Sequence, residues 1–392
     1  MPYTELNLDL TEEHRLLKNE VHKFAVEVLR PASLELDKMS PEDVIRKGSP
    51  YWECMAQAYR NNYHTVLISD EYGGLGLDPL GVHIFWEELA YGSVGFAVSL
   101  GCSCFSSFYA TLLCDDYLIE KFVIPFVNCK DASVMSCWAI TEPSHGSDNL
   151  MAGTPFFRDP CSCQEVRAVK KRGRWILNGQ KSAWVSNGPI ASDAALFVNI
   201  DPGMGFAGGG IALVDLHQRG ISRGKPLNKM GQRELPQGEI FFDDAVCPEK
   251  HMIIDPESYE SITELTLGHA NATMGAYFTG VAQAAYDMAV QYSRDRVQGG
   301  KPLCRHETVQ RKLFDMFVGI ETARAFSRSA MVFNMNTTPP LVQYSIASKV
   351  YCTEVAFKVT SEALQLFGGH GLTKDAPVEK LFRDARAGMI ED

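Results

Sequence analysis

The feature that most constrains this chain is a hydrophobic period that changes twice along its length. From Thr11 to about Lys130 the apolar residues recur at helical spacing. Leu16, Leu17, Val21, Phe24, Ala25 and Val28 form one stripe behind Thr11, Glu12 and Glu13, which read as a helix start, and Pro31 is expected to stop that helix. A second helix is expected near residues 52–62. The stretch 71–79 is dense in turn residues, and a mostly apolar run then extends from Val82 to about Leu113. Near Val134 the period falls to two. Residues 165–169, 174–177, 193–200, 211–216 and 239–242 read as strands, with Arg172-Gly173 as a hairpin turn. After about Asp255 the helical period returns in long stripes, among them Met274, Tyr277, Val281, Ala285 and Met288, then Val309, Leu313, Phe317 and Ile320. A chain of 392 residues, 45% of them hydrophobic, can bury two or three packed layers. The expected class is therefore α+β and mainly α. An N-terminal helical domain spans 1–134, a small β domain 135–245, and a C-terminal bundle of antiparallel helices, four in number, 246–392. No internal repeat is present.

The net charge of -11 disfavours a general nucleic-acid binder, which needs a basic face, while leaving room for a local basic pocket for phosphates. Charged residues interrupt the N-terminal stretch too often for a signal-peptide core, and no run approaches the roughly 18 apolar residues of a membrane span. A cytoplasmic location is expected. The 11 cysteines contain no CxxC pair; the closest are Cys102/Cys104 and Cys161/Cys163. They read as reduced, mostly buried thiols and not as a zinc ribbon or a thioredoxin-like motif.

One glycine motif is a decoy. Gly203-Met204-Gly205-Phe206-Ala207-Gly208 matches GxGxxG, but that pattern holds a pyrophosphate only when a helix follows, and Gly209 to Val214 reads as a strand. Four other stretches are more informative. Trp138 to Asp148 (WAITEPSHGSD) reads as a strand ending in a turn that exposes backbone amides and hydroxyls, suited to a ring edge or a phosphate; alone it is also a capped turn. Asn178 to Gly188 (NGQKSAWVSNG) sets Trp184 between two Asn-Gly turns, where it either faces a flavin or fills a β core. Gln365 to Gly371 (QLFGGHG) permits close backbone approach to a ligand or simply stops a helix. Val378 to Arg386 (VEKLFRDAR) is an amphipathic helix whose charges also suit a solvated face.

In this order and at this spacing, TEPxxGSD, NGQKxxWxSNG, QxxGGxG and EKLxRDA resemble the acyl-CoA dehydrogenase family, over essentially the whole chain. The resemblance implies FAD bound in extended form between the β domain and the C-terminal bundle. Trp138, Ile140, Thr141, Gly146 and Ser147 would line the flavin, with Ser147 also near the CoA moiety. Trp184 and Ser186 would lie against the isoalloxazine ring, Ser186 near its N5 edge. Arg296 resembles an arginine that reaches the FAD pyrophosphate across a subunit interface, and Gln365, Gly368 and Gly369 resemble the adenosine-side contact. The resemblance further implies an acyl-CoA substrate, a homotetramer, and an electron-transferring flavoprotein as acceptor. It also implies removal of an α proton by a carboxylate and hydride transfer from the β carbon to flavin N5.

The chain departs from that pattern at the base. The usual glutamate, counted from the EKLxRDA helix, falls on Asp392, with Glu391 before it as the second candidate. The position on the first long C-terminal helix where some relatives carry their base is Ala270, and the arginine that follows it in the family is Asn271. Family members continue past the base with Gly-Thr against the flavin and one further helix. A shorter base leaves room for a branched or ring-bearing acyl group, such as cyclohexanecarboxyl-CoA. Aspartate also serves as base in the related nitroalkane oxidases, so a flavin oxidase is the enzymatic alternative. A catalytically silent relative acting as a binding subunit is the other.

Overall fold

The computed structural model describes residues 5–391. Thr11 caps α1 (Glu12–Phe24): its hydroxyl accepts the His14 N–H at 3.2 Å, and the His14 ring accepts the Thr11 N–H at 3.3 Å. The expected stop at Pro31 does not occur. A π turn over Ala25–Leu29 is followed by α2 (Arg30–Leu36), with Pro31 in its first turn. A proline there forfeits no helical bond, and the wide turn before it absorbs the ring. The short α3 (Pro41–Ile45) leads to the expected second helix, α4 (Pro50–Arg60). Then come α5 (Pro79–Gly92), capped by Asp78, α6 (Val94–Cys102), capped by Ser93, α7 (Phe105–Leu113), and the short α8 (Asp116–Leu118) and α9 (Ile124–Asn128). The stretch Val94–Leu113 is, by length and composition, apolar enough to cross a membrane. It is two helices broken at Ser103-Cys104, with 61% of it inside the protein, and it forms part of the core.

The middle of the chain forms one sheet. Its strands are β1 (Ser136–Ala139), β2 (Arg167–Lys171), β3 (Arg174–Lys181), β4 (Asp193–Asn199), β5 (Gly209–Asp215), β6 (Ile221–Arg223), β7 (Ile240–Pro248) and β8 (Met252–Ile254). They run in the order β6-β7-β3-β2-β4-β5-β8, and β1 pairs in parallel with β4 so that Trp138 lies opposite Ala195. The β2–β3 hairpin turns on Arg172 and Gly173, at φ 51° and 75°, the left-handed pair that a two-residue turn requires. The GxGxxG stretch is a 3-10 turn joining antiparallel β4 and β5, so no helix N-terminus follows it. The strands β6 and β8 are three residues each, too short to show a period.

The remainder is α10 (Pro256–Asp295), a two-strand hairpin of β9 (Val297–Gln298) and β10 (Lys301–Pro302), then α11 (Glu307–Met335), α12 (Val342–Phe367) and α13 (Pro377–Gly388). α10 packs against α5, α11 and α12. The approach to α5 is close enough that a Cβ at Gly280 would overlap the Glu87 carbonyl oxygen. Between α5 and α11 lies a buried charge cluster. Glu87 meets Arg324 at 2.6 Å and Arg328 at 3.3 Å, and Glu5 reaches Arg328 at 2.9 Å. All eleven cysteines are free thiols.

Two buried histidines make stability depend on pH. His64 Nε2 bonds the Phe126 carbonyl at 3.0 Å and its ring stacks on Tyr59, while His83 Nε2 meets Ser327 Oγ at 2.8 Å. Burial pushes their pKa values down to about 4 and about 3, from an ordinary 6.5. As pH falls below 6.5, the unfolded chain takes up protons that the folded chain refuses. Stability then drops by about 1.4 kcal/mol per pH unit for each histidine. Melting temperatures between pH 7 and pH 5 should fall accordingly, and His83→Asn should flatten the fall. An unchanged slope in that variant would remove His83 as a source.

Candidate active site

A cavity of about 470 Å³ is lined by the β domain, by α6, α7 and α10, and by the C-terminal end of α13. Of the residues singled out in the sequence it brings together Trp138, Ile140, Thr141, Gly146, Ser147, Trp184, Ser186 and Glu391. Arg296, Gln365, Gly368 and Gly369 gather instead around a second cavity, of about 910 Å³, beside the start of α11 and the end of α12. Asp392 lies outside the described residues.

A buried ion pair shapes the first wall. After β1 the chain turns inward at Glu142, whose carboxylate meets Lys181 Nζ at 2.7 Å with both side chains fully buried. Lys181 also donates to the Ile140 carbonyl at 3.0 Å, and Glu142 accepts the Glu165 and Val166 N–H groups at 2.5 and 3.0 Å. Burial lowers the Lys181 pKa, and the Glu142 carboxylate opposes that shift. The turn is closed by Asp148, which accepts from Gly146 N at 2.7 Å and meets His145 Nδ1 at 2.7 Å. The second wall hangs on Asn187, left-handed at φ 63°. Its amide donates to the Ser99 carbonyl at 2.8 Å and accepts from Ser99 Oγ at 2.7 Å, tying the Trp184–Ser186 loop to α6.

The direction of one hydrogen-bond chain follows from chemistry alone. Lys229 Nζ lies 2.7 Å from Gln237 Oε1, and an ammonium can only donate. The Gln237 amide nitrogen therefore faces the Trp184 carbonyl at 3.2 Å and Ser186 Oγ at 3.1 Å. Ser186 accepts from Gln237, which leaves its own hydroxyl proton available to a ligand. Burial pushes the Lys229 pKa down to about 8, against the pull of the Glu391, Glu234 and Asp384 carboxylates. Glu391 Oε2 accepts from Gln232 Nε2 at 2.9 Å. Beneath this, Lys380 bridges Glu234 at 3.0 Å and Asp384 at 2.6 Å, Asp384 accepts the Gln232 N–H at 2.5 Å, and Arg383 grips Asp37 with two bonds. The EKLxRDA helix, whose charges also suited a solvated face, thus spends them fastening the cavity's end to the loop around Gly231.

These walls fit a planar aromatic ligand. Trp184 is 58% exposed, a large aromatic face turned to open space instead of a core. Trp138 Nε1 is buried without an acceptor, its ring stacked on Phe105. A Cβ at Gly146, Gly368 or Gly369 would meet nothing within 4 Å, so the backbone there is open to close approach. Among the described residues no group of three His, Cys, Asp or Glu could hold a metal ion. Sequence reasoning passed over Lys229, Gln237 and His269, which line the cavity, and took Arg386, which lines it too, only as part of the EKLxRDA helix. The charged loop around Gly231 was a usable signal for Lys229; nothing local distinguishes the others.

Known proteins resemble the chain along nearly its whole length. Three family models match in order: the N-terminal domain of acyl-CoA dehydrogenases over residues 11–114, the middle domain over 137–245, and the C-terminal domain over 261–392. The probable acyl-CoA dehydrogenase FadE25 of Mycobacterium tuberculosis is 30% identical over 383 residues, spanning 97% of this chain and 92% of its own. The structure of butyryl-CoA dehydrogenase from Megasphaera elsdenii superposes with a TM-score of 0.85 at 27% identity, over 98% of this chain and 95% of that one. A chain solved in work on the electron transferring flavoprotein of Acidaminococcus fermentans gives the same TM-score at 26% identity, with the same coverage.

Proposed function

The chain belongs to the acyl-CoA dehydrogenase family, an FAD-dependent enzyme of that class, and from that premise we propose that it desaturates a branched or alicyclic acyl-CoA, cyclohexanecarboxyl-CoA being the specific candidate. The observation that carries this reading is the meeting, in one cavity, of the exposed Trp184 face, the Ser186 hydroxyl with a proton to donate, and the Glu391 segment that leads to Asp392.

In this reading Trp138, Ile140, Thr141, Gly146, Ser147, Trp184 and Ser186 hold the flavin end of the cofactor, and Arg296, Gln365, Gly368 and Gly369 hold its far end. FAD, when bound, supplies a hydride acceptor at ring N5. Asp392 takes the α proton of the thioester. The apolar lining, with Phe105, Phe108 and Met274 among it, excludes water, so that a carboxylate there is a stronger base than in solution. Ala270 offers no acid on α10 to compete for that role and leaves space beside the acyl chain.

Two surface features bear on assembly. Phe314, Phe317 and Val318 of α11 and Ile346 and Val350 of α12 are exposed apolar residues at helical spacing, which supports burial against further copies of the chain in a homotetramer. An electron-transferring flavoprotein as acceptor and a cytoplasmic location complete the reading.

The test is product analysis. Purified enzyme, an acyl-CoA panel and an artificial electron acceptor should yield a thioester two mass units lighter, most rapidly from a branched or cyclic substrate. Bound flavin with no such product from any thioester, but oxidation of a nitroalkane, would establish the oxidase instead. A protein that binds no flavin would be a silent subunit.

A further inference from the structure

One wall of the cavity that holds Trp184 and Ser186 is a face of α10, on which Thr266, His269, Thr273 and Tyr277 follow one another at intervals of three and four. All but one of these polar side chains are satisfied within the protein. Thr266 Oγ1 donates to the Ile262 carbonyl at 2.8 Å and meets Tyr109 OH at 2.9 Å. Thr273 Oγ1 donates to the His269 carbonyl at 3.0 Å, and Tyr277 OH to the Ala97 carbonyl at 3.2 Å. His269 is the exception: among the described residues its ring has no hydrogen bond and no ion pair, only Phe108 at 6.0 Å between ring centres.

His269 is partly buried at the cavity wall, where a leucine or methionine would line a hydrocarbon pocket without bringing polar atoms to it. Burial lowers the His269 pKa, so the ring is neutral and presents one N–H and one lone pair to the cavity. A neutral imidazole offers a dipole and no countercharge, which suits an uncharged oxygen better than a carboxylate.

We infer that His269 is a specificity residue that hydrogen-bonds a neutral oxygen function, a hydroxyl or a carbonyl, carried on the acyl group away from the reacting carbons. The preferred substrate class is then an oxygenated acyl-CoA, a ring-bearing one included. This rests on the α,β-desaturation reading above and narrows it.

The experiment compares kcat/KM for matched thioesters, hexanoyl-CoA against 5-hydroxyhexanoyl-CoA and cyclohexanecarboxyl-CoA against its 4-hydroxy derivative, with flavin content and melting temperature recorded for each protein. Wild type should prefer the oxygenated member of at least one pair by about tenfold or more, because a site built around a hydrogen bond rejects the analogue that lacks it. His269→Leu should erase or invert the ratio, and His269→Gln, which keeps a donor and an acceptor, should retain most of it. Equal or better turnover of both plain thioesters by wild type overturns the inference while leaving the desaturation reading intact, even if the leucine variant does not fold. No flavin reduction by any of the four overturns both.

Discussion

Asp392→Asn is expected to slow flavin reduction by an acyl-CoA about 100- to 10,000-fold, the usual contribution of a positioned general base, while flavin binding and melting temperature stay near wild type. The contrast is with Glu391→Gln. The Glu391 carboxylate accepts from the Gln232 amide, and its charge acts on Lys229 in the same cavity, so it is occupied as an anchor. A base needs a lone pair free at the substrate, and a carboxylate tethered by a donated hydrogen bond near a cation is a poor one. Glu391→Gln should therefore cost far less in the rate of reduction than Asp392→Asn. Stopped-flow absorbance at the flavin band separates the two. If the large loss falls on Glu391 instead, the base is Glu391, and its partners Gln232 and Lys229 then hold a catalytic group.

Lys181→Met is expected to destabilise the fold by about 3–5 kcal/mol and to reduce the flavin content of the purified protein. The ammonium it removes is fully buried between Glu142 and the Ile140 carbonyl, and Glu142 would be left a buried carboxylate without its counterion. The same side chain holds the Thr141 to Ser147 turn against β3, where Ser182 N donates to the Thr141 carbonyl at 2.9 Å. Adding Glu142→Gln should recover part of the loss, since it removes the uncompensated charge and keeps an acceptor for one of the Glu165 and Val166 amides, the other then facing an NH2 donor. Denaturant melts of both variants check this. A double variant less stable than Lys181→Met alone would show that the carboxylate contributes through its backbone bonds more than through the pair.

The periodic parts of this protein were legible because the information is local. The Thr11 cap needs only His14, the Arg172-Gly173 turn only its own φ angles, and the GxGxxG stretch is disqualified by the strand directly behind it. Pro31 misled for a physical reason. Its effect depends on whether the preceding turn can widen, and the π turn at Ala25–Leu29 is not written in the residues on either side of it. The site was legible where short motifs place hydroxyls and aromatic faces in turns, at Thr141, Ser147, Trp184 and Ser186. It was illegible where function depends on partners far apart in sequence. Lys229 acquires its role from Gln237 and from Glu391, and Lys380 from Glu234. His269 is distinguished by the bonds it does not make, and no sequence pattern records that its helical neighbours Thr266, Thr273 and Tyr277 are all satisfied.

In the proposed reading one cavity holds a flavin and presents an acyl thioester to it. The most direct measurement is anaerobic titration of the purified protein with acyl-CoAs while its visible spectrum is recorded. The expected result is a bound flavin whose long-wavelength band bleaches stoichiometrically with a branched, cyclic or oxygenated acyl-CoA. A flavin that stays oxidised in the presence of every thioester, or a protein that carries none, would contradict it.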